Sequence, residues 1–405
     1  MNLPLQNNLP NLTPRNEDKT NVSKLLLRIV YAVLIVCLFL VSIDMLMSAF
    51  RLFGKGVANS ILSVSAHPFV GIFVGLLITA ILQSSSTVTA MVVAAVAAGA
   101  LTIETATPII MGANVGTTIT SAIVALGHIS KKKELRKAFA AASLHDFFNV
   151  LTALILFPLE YYTHFLSNLA KFVSELLPFS AKSGRFIPSI ISIPSNFVVE
   201  QLQDYPILIL IFAILCLFLA IRLFINLLKE QMIGKQRQQM HKIFFGSIWK
   251  SFSWGFITTA AIQSSSVTTS LVVPLVATRK VNIQKAFPFV VGANIGTTLT
   301  TLLAALFKSE AAITIALVHI LFNLIGAMIF LVIPFMRQIP ISLGQRLGMA
   351  AMNNRSSALA YLLVVFFVLP FGMIYSSFQQ NALDLQKVSK TDTKKDSSSV
   401  QVKKK

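Results

Sequence analysis

Two short runs hold the residues best suited to chemistry in this sequence. Gln83-Ser84-Ser85-Ser86 and Gln263-Ser264-Ser265-Ser266 each set four hydrogen-bonding side chains in a row inside a long apolar stretch, 68–100 and 249–278. If helix lies on both sides of such a run, the helix that starts there aims free N–H groups and a positive end at it, a site for an anion that needs no formal charge. The helix that ends there offers free carbonyls, which suit a small cation such as sodium. A second pair of motifs, Gly112-Ala113-Asn114-Val115-Gly116-Thr117-Thr118 and Gly292-Ala293-Asn294-Ile295-Gly296-Thr297-Thr298, adds amide and hydroxyl oxygens to the same cavity. Gly112, Gly116, Gly292 and Gly296 either let a helix unwind or let another backbone come close. The plain alternative is that small residues and hydroxyls only pack helices together. Duplication of both motifs at one spacing argues against it.

That spacing is a repeat. Residues 83–89 match 263–269 at five of seven positions, including Thr89 with Thr269, and 112–120 match 292–300 at seven of nine; both pairs are offset by 180. Thr87 and Thr89 follow the first serine run as supporting hydroxyls. A third pair, His145 with Asn149 and His319 with Asn323, follows at offset 174, each pair on one helix face at i, i+4. A structural hydrogen-bonding role is the favoured reading for both pairs. Asp146, beside His145, either binds a cation or caps that network.

The elements that must carry these motifs are membrane helices. Hydrophobic residues make up 55% of the 405 and charged residues 12%, against about 25% in soluble domains, which argues against a soluble enzyme. Seven segments are long enough to cross a bilayer, at about 25–50, 108–126, 138–159, 206–228, 286–307, 311–335 and 358–375. In 68–100 and 249–278 each arm is too short to span, so both are expected to dip in and return as re-entrant helical hairpins. Each half then reads span, hairpin, span, span. Three crossings invert the second half relative to the first, the plan of transporters with a midplane site between repeats. The fold expected is an all-α polytopic membrane protein of two inverted repeats, each with a re-entrant hairpin, plus a C-terminal span. The parts are an N-terminal segment 1–24, a first membrane repeat 25–160, an outer loop 161–205 of short amphipathic pieces, a second repeat 206–336, an interfacial segment and last span 337–376, and a disordered tail 377–405.

The net charge of +19 would suggest nucleic-acid binding if it were clustered on one soluble face. It is sorted instead. With the N-terminus in the cytoplasm, 21 basic residues fall inside and six outside (Lys308 among the six), as the positive-inside rule requires; seven more sit in the tail. Nucleic acid is therefore not an expected partner. No cleavable signal peptide opens the chain, and Cys37 and Cys216 lie in apolar runs without metal spacing. No nucleotide-binding loop and no nucleophilic triad is present, so an enzyme is not expected.

On the two Gln-Ser-Ser-Ser runs, both Gly-x-Asn-x-Gly-Thr motifs and the run Phe139 to Asn149, the chain resembles the type II sodium-dependent inorganic phosphate cotransporters, as a bacterial member, over about residues 30–375. The resemblance implies sodium-driven import of inorganic phosphate by alternating access in the cell membrane, with no cofactor and with sodium as the coupling ion. It implies phosphate binding by Gln83, Ser84, Ser85, Ser86, Gln263, Ser264, Ser265 and Ser266. It implies sodium binding by Ser84, Ser85, Asn114, Thr117, Thr118, Ser264, Ser265, Asn294, Thr297 and Thr298. The further C-terminal span and larger disulfide-bearing outer loop of animal members are not expected here, nor the phosphate-regulator-like domain of some bacterial relatives. A sodium-coupled carrier of sulfate or a carboxylate, and an uncoupled anion channel, fit the same residues.

Overall fold

A computed structural model describes residues 17–52, 67–117, 119–177, 189–232, 245–306 and 308–379. They are helical throughout, without a strand among them. In chain order the helices are α1 (Glu17–Leu52), α2 (Pro68–Leu82), α3 (Ser85–Ala97), α4 (Ile103–Gly116), α5 (Ile119–Leu126), α6 (Lys132–Thr163), α7 (Phe165–Leu176), α8 (Ser189–Leu202), α9 (Pro206–Met232), α10 (Ile248–Ile262), α11 (Ser265–Ala277), α12 (Ile283–Ala305), α13 (Glu310–Ala327), α14 (Pro334–Asn353) and α15 (Arg355–Leu363). The stretch 161–205 thus holds the end of α6 and the helices α7 and α8, and the tail beyond 379 lies outside the described residues.

Six helical stretches among the described residues are long and apolar enough to cross a membrane, against seven expected: Ile29–Leu52, Ile103–Leu126, Lys132–Thr163, Ile283–Ala305, Glu310–Val332 and Arg355–Gln379. The seventh falls on α9, whose apolar described part, Pro206–Ala220, is too short on its own to span. Apolar side chains face outward along α1, α9 and the last helix, with Leu27 at 70%, Leu215 at 61% and Phe371 at 65% exposure. The interior holds many buried Ser, Thr, Asn and His residues. That reversal of the soluble pattern suits a surface bathed in lipid.

The two serine runs break the helix by the same local geometry. Gln83 closes α2 in the left-handed region (φ 53°), its N–H bonded to the Thr79 carbonyl. Ser84 is extended, and its hydroxyl accepts from the Thr87 N–H to start α3. Gln263 (φ 56°) and Ser264, with the Val267 N–H, repeat this between α10 and α11. Helices α2 and α10 have 15 residues each, about 22 Å at 1.5 Å per residue, short of the ~30 Å hydrocarbon core.

Glycine seats each of these helices on its neighbour. A Cβ added at Gly75 would stand 2.0 Å from the Ile109 carbonyl oxygen, and one at Gly112 1.8 Å from that of Ile72, so α2 and α4 touch backbone to backbone. Gly255 and Gly292 do the same for α10 and α12, at 2.0 Å from Phe289 and 2.0 Å from Phe252. Of the two uses open to these glycines, the structure shows close approach. Helices α4 and α5 together make the stretch Ile103–Leu126, and α12 runs through the matching positions of the second half. Helix α14 lies along α6, with Gly348 against the Arg136 carbonyl.

A buried ion pair ties α1 to the α12–α13 connection. Lys308 Nζ is 2.8 Å from Asp44 Oδ1, and the Ser195 hydroxyl donates to Asp44 Oδ2 at 2.6 Å. Lys308 was expected as one of the outer-loop charges; it is 6% exposed and paired, because the carboxylate in α1 draws it in. Burial holds the Lys308 ammonium below its usual pKa, and Asp44 opposes that shift. Asp44→Asn should cost about 3–5 kcal/mol at neutral pH by leaving a buried cation without its partner. With the folded pKa pushed further below 10.5, the unfolded chain binds more protons, so the variant should regain stability as pH rises. Thermal unfolding of the purified variant at neutral and alkaline pH checks both signs.

Candidate functional site

The two Gln-Ser-Ser-Ser runs, 180 residues apart in sequence, line one cavity of about 300 Å³, together with Thr120 and Phe218. At ~30 Å³ per water that is room for roughly ten waters, enough for a tetrahedral oxyanion and small cations together. No charged side chain lines it among the described residues. Ile81, Leu82, Phe218 and Val267 give it apolar walls, and its polar part is dipolar: α3 and α11 both begin at this cavity, at Ser85 and Ser265, and bring two positive helix ends to one place. The runs also touch, since the Ser86 hydroxyl donates to the Gln263 carbonyl at 3.4 Å. The two glutamines differ. Gln263 is buried, donates to the Ala260 carbonyl at 2.7 Å and accepts from the Thr300 hydroxyl, while Gln83 is exposed.

Asn114 and Asn294 sit elsewhere, in a buried polar network that crosses between the halves. The Asn294 amide donates to Asn149 Oδ1 and Asn323 Oδ1, both at 2.6 Å, and its oxygen faces His145 Nε2 at 2.8 Å. Asn114 Oδ1 faces His319 Nε2 at 3.1 Å and Asn323 Nδ2 at 3.2 Å, and its own amide donates to the Ile110 carbonyl. Asn149 donates to the Asn114 backbone carbonyl at 2.9 Å. Each histidine thus meets the asparagine of the opposite half. Tyr361 donates to Asp146 at 3.2 Å, which places that acid in a hydrogen-bonded setting as well.

Hydroxyl pairs connect this network to the helices of the cavity. Thr89 on α3 is 2.8 Å from Thr301 on α12, and Thr301 is 2.8 Å from His319 Nδ1. In the other direction Thr269 on α11 is 2.9 Å from Ser121 on α5. Thr117 and Thr297 donate to carbonyls of their own helices, as does Thr298 to that of Ile295; Thr118 lies outside the described residues. Thr120 and Thr300 close the matched 112–120 and 292–300 motifs, and Ser121 and Thr301 follow just beyond them. The offset of 180 pairs them, and that was the signal available in the sequence.

Among known proteins, the family model described as Na+/Pi-cotransporter matches residues 38–174 and 216–374, both sets of motifs included. The chain belongs to the Na+/Pi-cotransporter family. Members of this family are transporters rather than enzymes. The chain is similar to mouse sodium-dependent phosphate transport protein 2A, at 30% identity over 90% of this chain and 71% of the relative. It is similar to human sodium-dependent phosphate transport protein 2B, at 30% identity over 83% and 63%, and to the bovine protein 2B, at 32% over 87% and 64%. The chain thus spans less than two thirds of the length of two of these relatives. No solved structure matches.

Proposed function

We propose that the protein imports inorganic phosphate with sodium, by alternating access of the cavity where the two serine runs meet. The observation that carries this is the pairing of both runs around one cavity with two helix N-termini and no charged side chain among the described residues. Each N-terminus is worth about half an elementary charge, and together they fall short of a multiply charged anion in a dry site. Sodium bound at the same place makes up the difference. Coupling follows, because phosphate without sodium leaves charge uncompensated during the crossing.

In this reading Gln83 to Ser86 and Gln263 to Ser266 hold phosphate. Ser84, Ser85, Ser264 and Ser265 share their oxygens with sodium. Thr117, Thr297 and Thr298 add ligands, because a threonine that donates to its own helix keeps lone pairs for a cation, and Thr118 joins them as the partner of Thr298 in the repeat. Asn114 and Asn294, with their side chains committed to the network, serve as the frame. The two halves are inverted repeats, α2–α3 and α10–α11 are re-entrant hairpins, and the N-terminus lies in the cytoplasm of a cell whose plasma membrane holds the protein.

Uptake of radiolabelled phosphate into proteoliposomes tests the reading. Replacing sodium with choline should abolish concentrative uptake, and equal uptake in choline would overturn sodium coupling. Excess sulfate should leave the uptake intact; full competition would reassign the substrate to another oxyanion. Ser85→Ala and Ser265→Ala should each raise the phosphate or sodium concentration needed for half-maximal uptake by about tenfold, the cost of one charge-assisted hydrogen bond. Unchanged kinetics in both would remove them from the site.

A further inference from the structure

A second, larger cavity of about 550 Å³ shares no lining residue with the first. It lies where α6 and α12 begin, and three cations line it: Arg136 and Lys137 from the first turns of α6, and Arg279 from the turn between α11 and α12. Among the described residues no carboxylate lines it. None of the three cations makes an ion pair or a side-chain hydrogen bond among the described residues. Asn282, which caps the N-terminus of α12, and Gln345 on α14 add polar groups, and Ala140, Val276, Val281, Ile283 and Met349 form the apolar remainder. Three cations gathered without a counter-charge repel one another, a cost the fold could avoid with one acidic residue.

Arg279 adds a second cost. Its backbone is left-handed, φ 62°, in a turn where its N–H bonds the Val276 carbonyl and the Lys280 N–H bonds that of Leu275. The matching turn of the first half has the same pair of bonds, Gly99 to Val96 and Ala100 to Ala95, and places glycine there, at φ 76°. Glycine closes a helix this way without strain and an arginine does not. The second half thus keeps a cation at the mouth of a cation-lined cavity where its twin uses the residue that folds best. Left-handed side-chain residues of this kind cluster at ligand sites.

We propose that this cavity binds a phosphate group, held by Arg136, Lys137 and Arg279 with the N-terminus of α12. Arginine forks and a lysine ammonium match phosphate oxygens, and 550 Å³ admits either free inorganic phosphate or the phosphate of an anionic lipid headgroup. The inference does not rest on the transport reading, since it uses none of the serine-run residues.

The test uses the purified full chain in neutral detergent with choline as the only alkali-type cation. Arg279→Gly removes the charge and restores the residue the turn prefers, so it keeps or raises the thermal midpoint; Lys137→Gln is the second variant. Equilibrium binding of radiolabelled inorganic phosphate should weaken about tenfold or more in both, if the ligand is free phosphate. If the ligand is a headgroup, native mass spectrometry after reconstitution in phosphatidylcholine with phosphatidylglycerol should show retained phosphatidylglycerol on the parent protein and its loss from both variants. Phosphate binding and lipid retention that are both absent, or both unaffected by the two substitutions, would overturn the site. Phosphate held by the serine runs alone would be insensitive to Arg279, so the two readings fail separately.

Discussion

Gly112→Ala and Gly292→Ala should each prevent the chain from reaching a stable fold. An added methyl at 112 would stand 1.8 Å from the Ile72 carbonyl oxygen, and one at 292 2.0 Å from that of Phe252. In both cases the obstacle is backbone inside a helix, already bonded along that helix, so no side chain can swing aside. The only relief is to part α2 from α4, or α10 from α12, by more than an ångström. These are the contacts that seat the serine runs. Overpacking by one methyl usually costs about 1–3 kcal/mol where side chains adapt, and two rigid helices place these substitutions at or beyond that range. Gly372→Ala is the control: nothing lies within 4 Å of the added atom, so helix propensity should make it neutral or stabilising by up to about 1 kcal/mol. Thermal unfolding of purified protein in detergent separates the cases. A parent-like midpoint for Gly112→Ala would refute the close-approach account.

The same glycines show where the sequence was legible. Their spacing and duplication marked them, and both physical uses of glycine were open. Choosing between them needed the neighbouring helix, which no local pattern identifies. The serine runs were readable because a polar run within an apolar stretch breaks a helix by its own chemistry, and the 180-residue offset suggested that two such breaks belong together. The asparagines were harder. Repeat matching shows which residues are equivalent and not which ones touch, and here His145 meets Asn294 while His319 meets Asn114, each across the halves. Lys308 shows a related limit: in the sequence it reads as one more loop charge, because its acid, Asp44, stands 264 positions away. The cation-lined cavity was visible only as two charge clusters, 131–137 and 279–285, that served to orient the chain.

Asn294→Leu should lower stability by several kcal/mol while leaving sodium affinity close to that of the parent. The substitution strips His145 Nε2, Asn149 Oδ1 and Asn323 Oδ1 of a partner at once. His145 and the two asparagines are fully or almost fully buried. Each buried polar atom left unmatched costs about 1–3 kcal/mol, and the three sit in one network, so the losses are coupled. Thr297→Val makes the opposite case. It deletes a hydroxyl that donates to carbonyls of its own helix, Ala293 at 3.1 Å and Asn294 at 3.0 Å, so little stability depends on it. If its oxygen binds sodium, the sodium concentration for half-maximal phosphate uptake rises. The pair therefore separates frame from ligand: Asn294→Leu should move the thermal midpoint and spare sodium dependence in the protein that folds, and Thr297→Val should do the reverse. An Asn294→Leu protein with a normal midpoint and weakened sodium dependence would make Asn294 a ligand and remove it from the frame. A His145→Ala and Asn294→Ala double-mutant cycle supplies the direct measure, because two residues that meet at 2.8 Å should show a coupling of about 0.5–3 kcal/mol, and residues that merely line the same helix should show none.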